Sequence, residues 1–357
     1  MNLKKVFSNK ANTLFLLITF FGSICMGCKK DNSGSSDEEK PTSPLKKVFV
    51  VGTVQKEIGR NFYEAIYWKN GKATVLGKGD GSASSISISG NDIYISGNQE
   101  HENTALTGSA VYWKNGQQFA LNGSNLFTGG IVVSNNDVYV AGSSRNASYA
   151  QYWKNGQSVT LSTRGNIADY NSLVLFGNDI YVLGSEYDGT TVGKYIPTYW
   201  KNGKAVALTD GSYEAEAFGI AVSGNDVYVV GEIVRNSTSF AVYWKNGKQI
   251  LLSDVGQADK IQSSIANAIT VSGNDVYIAG WLYGYQIGGG NAVYWKNEKI
   301  VTLSNKDAEA NAITVSDSDV YVAGRIGASL VYWKNGVPVT LMDNIKTDAK
   351  VTAIALQ

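Results

Sequence analysis

Cysteine is nearly missing from this sequence. Two occur in 357 residues, Cys25 and Cys28, and none in the 329 residues after them. That rules out a disulfide framework or a thiolate metal site over the bulk of the chain. Histidine is rarer: His101, in the segment QEHENTALTG, is the one imidazole. No pair of histidines exists to hold a metal, and His101 is the one histidine that could activate a serine, although its place in a polar loop segment reads as solvated. No G-x-S-x-G elbow, P-loop or dinucleotide fingerprint is present, so neither a catalytic set nor a cofactor is expected. Charge of one sign is also absent. Lys and Arg number 31 against 30 Asp and Glu, a net of +1, which gives no global field to draw in nucleic acid. The one long apolar run, Leu14 to Ile24, is shorter than the ~20 residues a membrane-spanning helix needs.

That run has a different meaning. Lys4, Lys5 and Lys10 precede it and Cys25-Met26-Gly27-Cys28 follows, which is the layout of a secretory signal. Gly27-Cys28 resembles a bacterial lipobox, although Cys25 stands where a Leu-like residue is usual. The resemblance implies that residues 1–27 are removed and that Cys28 is acylated. Residues 28–45, CKKDNSGSSDEEKPTSPL, are polar and aperiodic and read as a flexible tether. Their charged start resembles that of Bacteroidota lipoproteins and implies export to the outer membrane, with possible display at the cell surface.

What is abundant is a repeat. YWKN recurs at 67–70, 112–115, 152–155, 199–202, 243–246, 294–297 and 332–335. The tryptophans, Trp68, Trp113, Trp153, Trp200, Trp244, Trp295 and Trp333, are 45, 40, 47, 44, 51 and 38 residues apart. Periods near 40–50 belong to propeller blades and to some helical solenoids. Each unit decides between them: residues 218–252 divide into GIAVS, DVYVV, FAVYWK and KQILL, short runs rich in β-branched and aromatic residues. Gly224-Asn225 joins the first two and Asn246-Gly247 the last two; both are two-residue hairpin signals, because the primed turns need positive φ. Four strands, A to D, in meander order predict a blade.

The ends predict a closed ring. KKVFVVG at 46–52 aligns with a strand B, so the first unit lacks strand A. VTAIAL at 351–356 aligns with a strand A that has no partner in its own unit. The expected fold is therefore an all-β, seven-bladed propeller over 46–357, with blade 1 composed of 46–76 plus 351–357. The tryptophans are assigned to blade packing. The pattern resembles those of other short-repeat bacterial surface propellers. The Tyr-Trp pair is similar to the YWTD repeat, but Lys-Asn replaces Thr-Asp, so no functional residue carries over.

Six aspartates recur in the A–B hairpin, Asp92, Asp137, Asp179, Asp226, Asp275 and Asp319, with Lys47 at the seventh position. They are expected to cap nearby backbone N–H groups rather than to ring a cation. A–B and C–D turns are short and alike, whereas B–C and D–A connections vary, and meander order places these on opposite faces. Binding residues tend to sit on variable loops of a rigid scaffold. Phe127, Tyr170 and Tyr213 are the expected ligand contacts on D–A loops, with Asp210, Glu214 and Glu216 beside Tyr213. Tyr63, Tyr149, Tyr187, Tyr195, Tyr283 and Tyr285 lie in or beside B–C segments, and Glu186 and Asp188 are further loop acids. The expected function is a monomeric, membrane-anchored module that binds a glycan or a protein. An envelope assembly scaffold and a glycan-active enzyme are the alternatives.

Overall fold

The computed structural model describes residues 46–58, 62–99, 109–123, 126–144, 150–162, 172–187, 195–252, 261–284 and 289–357. The expected signal segment, tether and Cys28 lie outside them, as do His101, Tyr149, Tyr170, Asp188 and Tyr285. Residues Lys46–Gln357 form a unit of their own.

In chain order β1–β3 are Val48–Gln55, Tyr63–Lys69 and Lys72–Leu76; β4–β7 are Gly81–Ser89, Asp92–Gln99, Ser109–Lys114 and Gln117–Ala120. Next come β8–β11 (Leu126–Ser134, Asp137–Ser144, Ala150–Lys154, Gln157–Thr160) and β12–β15 (Leu173–Phe176, Asp179–Tyr187, Tyr195–Lys201, Lys204–Ala207). Then follow β16–β19 (Glu214–Ser223, Asp226–Arg235, Thr238–Lys245, Lys248–Leu251) and β20–β23 (Ser263–Ser272, Asp275–Gly284, Gly289–Lys296, Lys299–Ser304). The last are β24–β28: Ala308–Ser316, Asp319–Ile326, Ser329–Lys334, Val337–Met342 and Ala349–Leu356. They make seven four-stranded antiparallel sheets. Six are continuous in sequence; the seventh has the order β28-β1-β2-β3.

That composite blade closes the ring. Val48 pairs with Leu356 and Val50 with Ile354, and Lys47 and Gln357 exchange backbone hydrogen bonds of 2.9 and 3.0 Å. Each blade contact has its own apolar cluster, including one in which Val50, Trp68 and Val351 meet Tyr321 and Leu330 of blade 7. All seven cores and the closing strand lie within 46–357, so this segment has what it needs to fold alone.

The alternation along strand C explains the Tyr-Trp pair. Successive strand residues face opposite sides, and a blade is packed on both. Trp244 sits in the cluster shared with blade 4, beside Leu183 and Leu208, while Tyr243 sits in the cluster shared with blade 6, beside Ile278 and Trp295. All seven repeat tryptophans are buried. Room for the ring comes from a glycine in strand B: a Cβ on Gly280 would stand 2.8 Å from Trp295 Cζ3 and closer still to the Ile265 carbonyl.

A feature not anticipated from sequence is a bulge in the innermost strand. The register slips at Ser84, Gly129-Gly130, Phe218, Asn267, Asn311 and Thr352. Bulges leave a residue out of the ladder and re-aim its side chain. Here four of them reach the next blade: Asn267 donates to Ala310 O (2.9 Å), Asn311 to Val351 O (3.4 Å) and Thr352 to Ala83 O (2.9 Å), while Ser84 Oγ lies 3.3 Å from Thr128 Oγ1. At Gly130 the approach of blade 4 is so close that a Cβ would meet Leu173 N at 2.8 Å.

Candidate functional site: two unlike faces

The A–B and C–D turns share one face, and a repeated clamp ties them together. In blade 5, Asn246 holds φ at 53° in the C–D turn, a conformation Asn tolerates better than most residues. Its Oδ1 accepts from Val227 N (2.9 Å), and its Nδ2 donates to Asp226 Oδ1 (2.7 Å). Lys245 Nζ reaches Asp226 Oδ2 at 2.7 Å and lies 5.1 Å from the centre of the Tyr228 ring. Six blades repeat this set, with Asn–Asp bonds of 2.7–2.8 Å and Lys–Asp pairs of 2.7–2.9 Å. Hydrogen bonds, chiefly from Lys245 and then from Asn246, hold the Asp226 carboxyl below the usual range, and the same contact raises Lys245.

The aspartates therefore do something other than the expected capping. Their carboxylates bind the last Lys of strand C and the Asn of the C–D turn, and the backbone N–H after each Asp donates to that Asn's Oδ1 instead. With Lys and Asn on both oxygens, these carboxylates do not converge on a cation, and no group of metal-holding residues occurs among the described residues.

The opposite face carries the B–C and D–A connections. It is less uniformly loop-like than the sequence suggested, because strands run further into it. Arg235 and Thr238 are joined by Asn236-Ser237, both at positive φ, and Gly327-Ala328 makes an equally short B–C turn in blade 7. Phe127, Glu214 and Glu216 lie within innermost strands rather than on D–A loops. Phe127 is half-buried, while Glu214 and Glu216 are exposed.

Tyr213 packs down: its ring contacts the cluster between blades 4 and 5, and its hydroxyl donates to Gln249 Oε1 at 2.6 Å. Burial, and then the charge of Asp210, pushes its hydroxyl pKa up. Asp210 is exposed and accepts from Ser212 N at 2.9 Å. Glu216 faces Glu232 across the strands. Burial raises the Glu232 carboxyl, the charges of Glu216 and Glu214 add to this, and a Ser239 hydrogen bond opposes it. Blade 4 adds an aromatic pair on this face: Tyr187 stands opposite Tyr195 with ring centroids 5.8 Å apart, and Tyr195 is 42% exposed.

A groove of about 510 Å³ opens where blade 7 meets the composite blade. Its polar wall is Arg325, Glu309, Ser329, Thr347, Asp348 and Lys350. Arg325 is fixed by Glu309 (2.9 Å) and Asp307 (3.4 Å), and the Glu309 contact raises its pKa. Ile345 N donates to Ala328 O at 3.0 Å, and Ser329 Oγ donates to Asp343, pinning the D–A segment to the B–C turn. Sequence reading did not single out these residues. The available signal was the long polar connection after Met342, which joins the last unit to the closing strand.

No family model and no curated protein matches this chain. Among solved structures, the β-propeller domain of the Trilobed protease from Pyrococcus furiosus, described as having an open Velcro topology, is similar. The TM-score is 0.51 and the identity 11%, over 84% of this chain and 95% of that one. The acylaminoacyl peptidase of Pyrococcus horikoshii is similar over 84% of this chain, with a TM-score of 0.50 and 13% identity. This chain spans about half that peptidase, 52% of its length. At such identities the likeness shows the propeller fold alone. Here, in contrast to an open ring, β28 pairs with β1.

Proposed function

We propose that this protein is a lipid-anchored envelope propeller, exported to the outer membrane, whose loop face binds a hydroxyl-rich ligand, a glycan before a protein. The observation that carries the reading is the inequality of the two faces. One face spends its polar groups on six internal clamps; the other holds a polar groove with a fixed guanidinium, hydroxyls and carboxylates, together with an exposed tyrosine. Sugar hydroxyls match such donors and acceptors, and an aromatic face supplies apolar stacking area. Tyr195, Arg325, Asp348 and the acids Asp210, Glu214 and Glu216 are the proposed contacts; Tyr170 remains a further candidate.

Anchoring rests on the signal-like N-terminus and Cys28. Fatty-acid labelling of cells tests it: label is expected on the parent and absent from Cys28→Ala, and equal label on both rejects the lipobox. A glycan array probed with residues 46–357 tests the ligand class. Product analysis of array hits separates a binder, which leaves the glycan intact, from a glycan-active enzyme.

A further inference from the structure

The clamp lacks its carboxylate in one blade, where Asn70 Oδ1 still accepts from Val48 N at 2.9 Å. In blade 1, Lys47 and Phe49 stand where the others have Asp and Tyr. Lys69 lies 5.5 Å from the centre of the Phe49 ring and has no carboxylate partner among the described residues. It also stands directly opposite Lys72, an arrangement of like charges that disfavours the hairpin. Lys47, Lys69 and Lys72 are all exposed; Lys47 bonds only a neutral amide, Gln357 Oε1, at 3.1 Å.

The imbalance extends over the face. Lys46, Lys47, the seven strand-C lysines and the four that open strands D at 72, 204, 248 and 299 make thirteen cations. The six clamp aspartates, Asp317 and Glu298 make eight anions, so the side chains of this face sum to +5. Residues 46–357 as a whole hold 25 basic and 26 acidic side chains, a net of −1, which leaves −6 for everything else. The chain enters the propeller on this cationic face, at Lys46 beside Gln357. From these observations we propose that the clamp-bearing face docks on an anionic phospholipid surface, with Lys47, Lys69 and Lys72 meeting headgroup phosphates. The membrane's nearness rests on the anchored reading; the charge of the face does not.

Co-sedimentation of residues 46–357 with vesicles tests it without the anchor. Binding is expected to vesicles containing phosphatidylglycerol and not to phosphatidylcholine alone, and to weaken with salt as exposed charges are screened. Lys47→Glu, Lys69→Glu and Lys72→Glu together should lower partitioning by at least about 100-fold, since each lysine near an anionic surface contributes about a factor of five and each new carboxylate is repelled. Lys56→Glu, Lys306→Glu and Lys346→Glu, the same charge change on the loop face, should leave most of it. Thermal melting checks that both variants fold. Equal binding to both lipids, no binding in low-salt buffer, or equal loss in the two variants would overturn the proposal. So would tighter retention on a polygalacturonate resin than on vesicles, which would assign the face to an acidic polysaccharide. Vesicle binding that fails while Cys28 carries acyl label would overturn this docking and leave the anchored reading standing.

Discussion

Two tryptophans in adjacent blades offer a controlled comparison. Trp244 and Trp295 are equally buried, both at 0% exposure. Trp295 Nε1 donates to the buried carbonyl of Leu252 at 3.1 Å, whereas Trp244 Nε1 has no partner among the described residues. Changing either to Phe removes the same atoms from a similar apolar cluster, so the packing losses nearly cancel. What remains is the hydrogen bond. Trp295→Phe leaves a buried carbonyl unpaired, at a cost of about 1–3 kcal/mol. Trp244→Phe removes a donor that was already unpaired and carries no such cost. For a unit as long as Lys46–Gln357, 1 kcal/mol corresponds to roughly 1.5 °C in Tm. Trp295→Phe should therefore melt about 1.5–4.5 °C below Trp244→Phe, read by circular dichroism at fixed scan rate. Alanine at either position should cost more, about 3–5 kcal/mol. Equal melting of the two Phe variants, or the reverse order, would refute the assignment of the indole bond.

Gly280→Ala forces a methyl against the Trp295 ring and the Ile265 carbonyl and should destabilise by about 1–3 kcal/mol; unchanged chemical denaturation would show that the strand yields freely. The clamp predicts a pH window. Its aspartates have folded pKa values below the ordinary 3.8, so their contribution is complete above that value and is lost as pH falls through the depressed ones. Its lysines are raised above 10.5, so theirs is complete below that and is lost only as pH climbs past it. The clamp's contribution to the melting temperature should stay level between about pH 4 and pH 10, and Asp226→Asn with Asp275→Asn, two of the six clamp aspartates, should make the acid limb shallower; an unchanged limb would mean the clamp does not couple to folding. Deleting 351–357 removes the buried Val351 and Ile354, each worth about 1.5–3 kcal/mol, and opens the ring. The single cooperative melt should break up, and a parent-like melt would exclude closure by β28.

Legibility followed the range of the interactions. Asn246-Gly247 and its copies announce their turns because a two-residue hairpin depends on its own φ values. The composite blade was readable because VTAIAL and KKVFVVG each match a repeat position whose partner strand is missing. The clamp was half readable. The aspartates stood out, but their partners lie 15–23 residues away, at the end of strand C and in the C–D turn, and local turn chemistry suggested backbone N–H groups instead. The bulge belt was not readable at all. One extra residue at Asn267 or Asn311 gains meaning only from a carbonyl in the next blade. On the loop face, Phe127, Glu214 and Glu216 were placed in loops because strand A was read as five residues, whereas β16 has ten. The groove was missed because Arg325 and Asp348 approach only after the ring closes.

The central claim is that ligand binds the loop face while the clamped face holds the scaffold. A glycan array measures it most directly when the parent is compared with Arg325→Ala, Tyr195→Ala and Lys245→Ala. The parent should bind a defined subset, at least one of the first two variants should lose it, and Lys245→Ala should match the parent. A silent array, or binding that survives the two loop-face changes and is lost with Lys245→Ala, would contradict the account.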